Sequence, residues 1–326
     1  MIGNFKANLP YNNFLLLIYG LIIKWTLFLY PVLTPISNKD TFIFKSIHHF
    51  ITEINSIFSP FASIFIFILI YIQALMLNRL VGNQKMFLKP NYLTGMTYIL
   101  ITSMFSSFNT FSSTLLSATI LIAILSFLSK LTNTQDPKKI IFNIGIFLGV
   151  ASFLYFPSII FLVLLFLTLF LMRPFRLAEP IILIIGTITP YYFLYSFNYL
   201  LDLNTTGLFP SLSLSKPVIH LNESEIAGLV FITLLFFVGV YYLQINMNRL
   251  LVQSRKMWSV LFFFLMLSVL MLFMQEQHQI PNFHFIIIPF ALIITSFFVY
   301  TEKKFISSLV HWMLVALSFL VGYYNL

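Results

Sequence analysis

The sequence contains no cysteine and very little charge. Of its 326 residues, only 8% are charged, whereas 60% are hydrophobic and 18% are aromatic. A soluble domain carries charge on about a quarter of its residues, so water is not the main solvent of this chain. The lack of cysteine excludes disulfides, thiolate metal sites and cysteine nucleophiles. These absences indicate a helical protein that lies almost wholly in or against a lipid bilayer.

Motifs for nucleotide binding and hydrolysis are also missing. The sequence has no P-loop, no dinucleotide fingerprint, and neither an HExxH nor a GxSxG motif. We therefore expect no cofactor and no metal. The net charge of +9 comes from basic residues that stand singly or in small groups between apolar blocks. That placement is typical of membrane topology, so the expected partner is the lipid bilayer, and no nucleic acid.

Apolar blocks close to 20 residues long recur along the chain. A helix needs about 20 residues to cross a hydrocarbon core of about 30 Å. Eleven candidate spans cover residues 13–31, 57–77, 93–108, 112–130, 140–156, 158–172, 180–200, 226–245, 257–274, 283–300 and 305–323. The first follows only Lys6 and lacks a small-residue cleavage site, which favours an uncleaved span. The predicted fold class is an all-α, polytopic transmembrane bundle that forms a single membrane domain over residues 1–326.

The positions of lysine and arginine give this bundle a direction. Positively charged loops stay in the cytoplasm, and a cytoplasmic N-terminus puts 14 of the 18 basic residues on that side. These are Lys6, Arg79, Lys85, Lys89, Lys130, Lys138, Lys139, Arg173, Arg176, Arg249, Arg255, Lys256, Lys303 and Lys304. The C-terminus then lies in the periplasm, and the protein is a multi-pass protein of the bacterial inner membrane.

Two apolar blocks are long enough to be interpreted in two ways. Residues 140–172 form either one tilted helix or a hairpin that turns near Phe156–Pro157. The hairpin keeps the lysine pair before the block and the arginine pair after it on one side, as the charge rule requires. The same reasoning divides 93–130 at the uncharged stretch 106–110. We predict a hairpin in both places.

Acidic residues and histidines concentrate on the predicted outer side. They are Asp40, Glu53, Asp202, Glu223, Glu225, Glu276, His48, His49, His220, His278 and His284. Titratable chemistry, if the protein performs any, faces outward. The alternative is that the outer loops simply lack basic residues.

The first outer loop, residues 32–56, carries the most informative pattern. After Asp40, apolar and polar side chains recur at helical spacing over residues 41–58, which predicts an amphipathic helix on the membrane surface. His49 and Glu53 are four residues apart and share a face. They are candidate catalytic residues that can hydrogen-bond or help to bind a metal. A solvated polar face gives the same spacing, and no second ligand pair supports a metal.

Two basic features are candidate lipid-phosphate sites. Lys24 lies within the first predicted span, where it can extend to the interface, bond to backbone carbonyls, or meet an anionic ligand such as a lipid phosphate. Arg173 and Arg176 flank a compact inner turn that either holds an anionic headgroup or only fixes topology. The long outer loop 201–225 is predicted to be irregular.

Small and hydroxylated residues predict how the helices pack. Gly145 and Gly149 form a small-xxx-small pair, which favours a close helix contact. Residues 102–119 are dense in Ser and Thr, which suits hydrogen bonds between helices or the lining of a polar cavity.

Three stretches resemble an uncharacterised family of polytopic inner-membrane proteins from Bacteroidota. They are Met1–Asn13 (MIGNFKANLPYNN), Asn143–Pro157 (NIGIFLGVASFLYFP) and Arg173–Arg176 (RPFR). The composition, rich in Phe, Ile and Asn, is similar to that of flavobacterial proteins. The resemblance extends over the whole chain and implies no particular activity.

A second resemblance is to the GT-C membrane glycosyltransferases, which use polyprenyl-phosphate sugars. Those enzymes have an inside N-terminus, about 11 spans, and a catalytic acid in the first outer loop ahead of interfacial helices; Asp40 stands in that position. Tyr155–Pro157 and His284–Pro289 are also similar to segments of that class. The sequence departs from the pattern at Asn38, where a paired acid is frequent, and in lacking a soluble acceptor-binding domain.

Three functions remain as alternatives. In the first, the protein is an envelope-biogenesis transferase in which Asp40 is the general base and Lys24 or a basic loop residue binds the departing polyprenyl phosphate. In the second, it is a non-enzymatic subunit of a secretion, motility or lipoprotein-export machine, with other envelope membrane proteins as partners. The third is a transporter, although we find no clear internal repeat and only Lys24 is charged within a span.

Overall fold

The computed structural model describes residues 2–7, 9–29, 32–33, 41–131, 137–174, 176–200, 222–274 and 283–324. Within these residues, the regular structure is helical apart from one pair of two-residue strands. The first half contains α1 (Ile2–Lys6), α2 (Asn12–Ile23), α3 (Trp25–Leu29), β1 (Val32–Leu33), α4 (Phe42–Ile57), α5 (Phe61–Asn83), α6 (Leu93–Thr102), a 3₁₀ turn (Ser106–Asn109), β2 (Thr110–Phe111), α7 (Ser113–Leu128) and α8 (Lys138–Leu154). The second half contains a 3₁₀ turn (Phe156–Ile160), α9 (Phe161–Met172), α10 (Ala178–Leu200), α11 (Glu223–Met247), α12 (Val252–Met271), a 3₁₀ turn (Leu272–Met274), α13 (His284–Tyr300) and α14 (Lys304–Tyr324).

Five helices of the described residues are long and apolar enough to cross a membrane. They are Phe61–Asn83, Ala178–Leu200, Glu223–Met247, Val252–Met274 and Lys304–Tyr323. The other predicted spans also contain helices, but these are shorter, from the 10 residues of α6 to the 17 of α8 and α13. The protein is therefore an all-helical membrane protein, and every predicted apolar segment contains a helix.

The helix is interrupted in both of the blocks that are predicted to be hairpins, and hydrogen bonds show what their arms contact. In the later block, the helix ends at Tyr155, whose backbone is extended. Arg173, at the end of α9, donates a hydrogen bond from Nη1 to the carbonyl of Leu131 at 2.9 Å, and Leu131 lies shortly before the start of α8. In the earlier block, the Gln73 amide of α5 joins α6 to α7. It accepts a hydrogen bond from the Tyr98 hydroxyl at 2.5 Å and donates to the Leu115 carbonyl at 3.0 Å.

Two short helices form the centre of the bundle. All ten residues of α6 are buried, and so are most residues of α13, which packs against it. The Thr97 and Thr295 hydroxyls lie 2.7 Å apart between these helices, and Ser117 of α7 donates to the Ala151 carbonyl of α8 at 3.0 Å. The Ser117 bond belongs to the Ser- and Thr-rich stretch 102–119, for which hydrogen bonds between helices are one of the two predicted alternatives. Such bonds supply cohesion between membrane helices because their apolar surfaces gain little by leaving lipid.

The predicted close contact at the paired glycines is also confirmed. Helices α8 and α10 lie so near each other that a Cβ on Gly145 would stand 2.6 Å from the Leu183 carbonyl oxygen, and one on Gly149 would stand 2.7 Å from that of Thr187. Gly186 occupies the facing position on α10. The backbones of α8 and α10 are in direct contact here, so no side chain larger than hydrogen fits unless the helices move apart.

The amphipathic helix of the first outer loop forms as α4. Thr41 caps its N-terminus, accepting a hydrogen bond from the Phe44 amide at 3.3 Å. Phe44, His48 and Ile51, spaced four and three residues apart, are buried against the bundle. Phe50 and Ile57 point away and are exposed, as expected for a helix that lies along a membrane surface.

Candidate functional site

The connection between α6 and α7 is a buried turn with little regular structure. It covers residues 103–112 and is named here the outer turn, because the charge distribution predicts it at the periplasmic end. The prediction carried helix up to residue 108, whereas α6 ends at Thr102. Non-helical backbone is tolerated at membrane depth only where protein surrounds it or it lines a cavity. Four consecutive residues of this turn, Phe108–Phe111, contact three distant parts of the chain: the start of α13, Lys24 and β1.

Asn109 and the end of α6 hold Lys24, which stands between α2 and α3. The ammonium group donates to the Thr102 carbonyl at 3.1 Å and lies 3.5 Å from the Asn109 side-chain oxygen. Only 1% of the Lys24 surface is exposed, so the side chain does not extend to the interface. The bond to the Thr102 carbonyl corresponds to one of the three predicted alternatives. Among the described residues, no carboxylate forms an ion pair with this lysine.

Phe108 of the outer turn covers His284, the first residue of α13. The two ring centroids lie 4.2 Å apart, and the Thr114 hydroxyl lies 3.2 Å from His284 Nδ1. Nε2 of this buried histidine has no hydrogen-bond partner within the described part of the chain. Lys24 and His284 thus contact neighbouring residues of the outer turn, Asn109 and Phe108. Lys24, Asn109, Thr114 and His284 together are named the outer polar centre.

Thr110 and Phe111 join the outer turn to the first outer loop. Val32 pairs with Thr110 and Leu33 with Phe111 in a short parallel ladder. Beyond residues 34–40, Thr41 donates from its hydroxyl to the Leu154 carbonyl at 3.4 Å, and the His48 ring lies 6.1 Å from that of Phe111. The described residues on both sides of 34–40 are thus fixed to the bundle.

Glu225 closes the outer turn from α11. Its carboxylate accepts hydrogen bonds from the backbone amides of Ser106 at 2.7 Å and Asn222 at 3.2 Å. This buried acid satisfies orphan amides of the turn and of the helix N-terminus. Glu225, one of the acids predicted on the outer side, therefore stabilises the fold.

The remaining predicted site residues lie apart from the outer polar centre. His49 Nδ1 and Glu53 Oε1 are 3.4 Å apart on the exposed side of α4. Arg173 pairs with Glu179, with Nε and Oε1 3.4 Å apart, and also holds the Leu131 carbonyl, while Arg176 is exposed. In the described part of the chain, no three histidines, aspartates or glutamates are grouped as metal ligands. Asp40, Asp202, His220, Glu276 and His278 lie outside the described residues.

The sequence pattern does not distinguish Asn109 or Thr114 from other polar residues, and it marks His284 only as an outer histidine and as part of a resemblance. An amide in a Ser-rich turn has no distinguishing pattern. The one available signal was a histidine at the start of an apolar span, which is an expensive position for a polar ring.

The fold and this site define a helical membrane protein with a buried lysine and histidine gathered around an irregular turn. A family model described as a family of unknown function (DUF6427) matches residues 40–325, and the chain belongs to that family. The resemblance to an uncharacterised family is confirmed to that extent. No curated protein and no solved structure matches the chain.

Proposed function

We propose that this protein is a GT-C-like transferase of envelope biogenesis in the inner membrane of Bacteroidota, which uses a polyprenyl-phosphate-linked sugar. The proposal includes eleven spans, a cytoplasmic N-terminus and a periplasmic C-terminus. The observation that carries it is the buried ammonium group of Lys24, whose two partners are neutral oxygens. The outer polar centre would then be the phosphate end of the reaction site.

A lipid phosphate suits Lys24 for an energetic reason. A buried charge without a counter-charge costs several kcal/mol, and hydrogen bonds to neutral oxygens offset only part of that cost. A phosphate supplies the missing negative charge, and the attraction is strong because the surrounding dielectric constant is low.

The reaction assigns separate tasks to Asp40 and Lys24. The Asp40 carboxylate takes the proton from an acceptor hydroxyl, whose oxygen attacks the anomeric carbon of the sugar. The new carbon–oxygen bond forms as the bond from that carbon to the phosphate oxygen breaks. Polyprenyl phosphate leaves with the electron pair, and Lys24 stabilises its added negative charge. The transferred proton stays on Asp40 until water accepts it.

Replacement of the proposed base tests the chemical step. We expect Asp40→Asn to lower turnover by about 10²- to 10⁴-fold, because the amide cannot accept the proton. Cells that carry this variant should accumulate polyprenyl-phosphate sugar in lipid extracts analysed by mass spectrometry. Glu223→Gln, which removes an exposed outer carboxylate, should not. Normal lipid profiles in cells with a folded Asp40→Asn protein would exclude the mechanism.

Replacement of the buried lysine tests the phosphate site. Polyprenyl phosphate should copurify with the wild-type chain in mild detergent, and the Lys24→Met variant should lose it because no positive charge remains in the outer polar centre. Lys45→Gln, on the surface helix α4, is the matched control and should retain the lipid. Equal retention by Lys24→Met would show that the lysine is bonded for structural reasons alone.

A non-enzymatic subunit is the second candidate, and the exposed face of α10 favours it. Tyr192, Phe193, Tyr195, Phe197 and Tyr199 are all at least 60% exposed near one end of this helix. Aromatic side chains are enriched in protein interfaces as well as at membrane boundaries. A stoichiometric envelope protein recovered with the chain, together with full function of Asp40→Asn, would establish this alternative.

A further inference from the structure

A second site lies at the other end of the bundle. A cavity of about 710 Å³ opens there, within the range of roughly 300–1,000 Å³ typical of small-molecule and cofactor sites. Its lining includes four basic residues against one carboxylate, that of Glu302. The basic residues are Lys6, Lys89, Arg249 and Lys303, and the site is named here the inner basic cavity. They come from four separate segments, so their convergence is a property of the fold.

The loop that presents Lys89 is fixed to α12. The Ser254 hydroxyl donates to the Gln84 carbonyl at 2.8 Å, and the indole of Trp258 donates to the Met86 carbonyl at 3.2 Å. Both donor side chains are fully buried. The backbone leading to Lys89 is therefore held in place before any ligand arrives.

Lys6 is presented by the short helix α1, which folds onto the start of α6. The Tyr92 amide donates to the Phe5 carbonyl at 2.8 Å, and the Phe5 ring is completely buried. Burial, and after it the positive charge of Lys304, lowers the pKa of Lys6. A bound anion would favour the charged form of Lys6 and so oppose both effects. Lys6, at the end of α1, thus forms part of the cavity wall.

The walls of the cavity continue onto apolar surface. Ile245 of α11 is 53% exposed and Ile306 of α14 is 42% exposed, and both line the cavity. Further along the same helices, the exposed side chains Tyr241 and Leu309 extend this surface away from the charged end. A ligand with a negative head and an apolar tail matches such a site. A small water-soluble anion would leave the apolar part unused.

We infer that the inner basic cavity binds the phosphate headgroup of an anionic membrane lipid, whose acyl chains lie along α11 and α14. Each basic residue near the membrane surface attracts anionic lipid by about 1 kcal/mol. Four such residues in one cavity therefore attract a phosphate headgroup more strongly than basic residues that stand singly. This site is distinct from the inner turn at Arg173, where the arginine is already paired with Glu179. The inference does not rest on the proposed transferase function.

Lipid binding to the purified full chain tests the inference. The chain in neutral-detergent micelles is titrated with phosphatidylglycerol or phosphatidylcholine, and bound lipid is counted by native mass spectrometry. We expect the chain to retain phosphatidylglycerol selectively. The Lys6→Gln/Arg249→Gln variant should bind this lipid at least about tenfold more weakly than the wild type, because two cations are lost. Arg255→Gln/Lys256→Gln removes the same charge at the same end of the bundle, outside the cavity lining, and should bind like the wild type.

Three results would overturn the inference. They are equal loss of binding in the two double variants, equal retention of phosphatidylcholine, and full competition by inorganic phosphate at the same concentration. The last result would assign the cavity to a soluble anion. If Lys6→Gln/Arg249→Gln does not fold, Lys89→Gln/Lys303→Gln takes its place, since both side chains are exposed. Lys24→Met should leave this binding unchanged, which separates the cavity from the outer polar centre.

Discussion

Gln73, near the middle of α5, joins three helices through one side-chain amide. It accepts from the Tyr98 hydroxyl and donates to the Leu115 carbonyl and the Thr119 hydroxyl, the last at 2.7 Å. Replacement by leucine leaves the buried Tyr98 hydroxyl without its acceptor. We expect Gln73→Leu to lower the free energy of unfolding by about 1–3 kcal/mol, seen as a lower midpoint of thermal unfolding in detergent.

A double variant separates this cost from a simple loss of packing. Gln73→Leu/Tyr98→Phe removes both polar partners and should recover part of the stability, because no buried hydroxyl is then orphaned. Tyr192→Phe, at an exposed position, is the control and should change nothing measurable. A double variant that is no more stable than Gln73→Leu alone would contradict the hydrogen-bond explanation.

At the scale of helices, two glycines that both lie within helices should respond to substitution in opposite ways. A Cβ on Gly145 would stand 2.6 Å from the backbone of α10, whereas a Cβ on Gly82 in α5 would meet nothing within 4 Å. We expect Gly145→Ala to destabilise the protein by about 1–3 kcal/mol through overpacking. Gly82→Ala should stabilise it by up to about 1 kcal/mol, because alanine favours the helix. If both variants shift the midpoint of thermal unfolding in the same direction relative to the wild type, the explanation by close contact is contradicted.

The helices were predictable and the contacts between their ends were not. Apolar length and the charge rule located the long apolar helices and both breaks, at Tyr155 and in the outer turn, and helical spacing located α4, but the short helix α1 was not predicted. They could not show that α6 stops at Thr102, because the residues that follow are also uncharged and tertiary contacts, such as that of Ser106 with Glu225, hold the turn. The outer polar centre depends on pairs that are distant in sequence, such as Lys24 with Asn109. A residue pattern carries no signal for such a pair, nor for a two-residue strand.

At the scale of the whole molecule, the absence of cysteine makes the direction of the bundle measurable. A single introduced cysteine is the only thiol in the chain. In intact spheroplasts, a membrane-impermeant maleimide should label Glu223→Cys at the start of α11 and leave Arg255→Cys in α12 unlabelled. Permeabilisation should expose the second thiol. The reverse pattern would place the N-terminus outside and invert the proposed topology.

The complete burial of α6 has a consequence for how the protein responds to its membrane. A helix of ten residues is about 15 Å long, half the usual hydrocarbon thickness, but α6 never touches lipid and so experiences no hydrophobic mismatch. The rim helices meet the bilayer, and α11 with 25 residues, about 37 Å, can tilt as the membrane thins or thickens. Thr102 at one end of α6 holds Lys24, and Leu93 at the other lines the inner basic cavity. The spacing between the two sites is therefore set by α6 and is insulated from bilayer thickness.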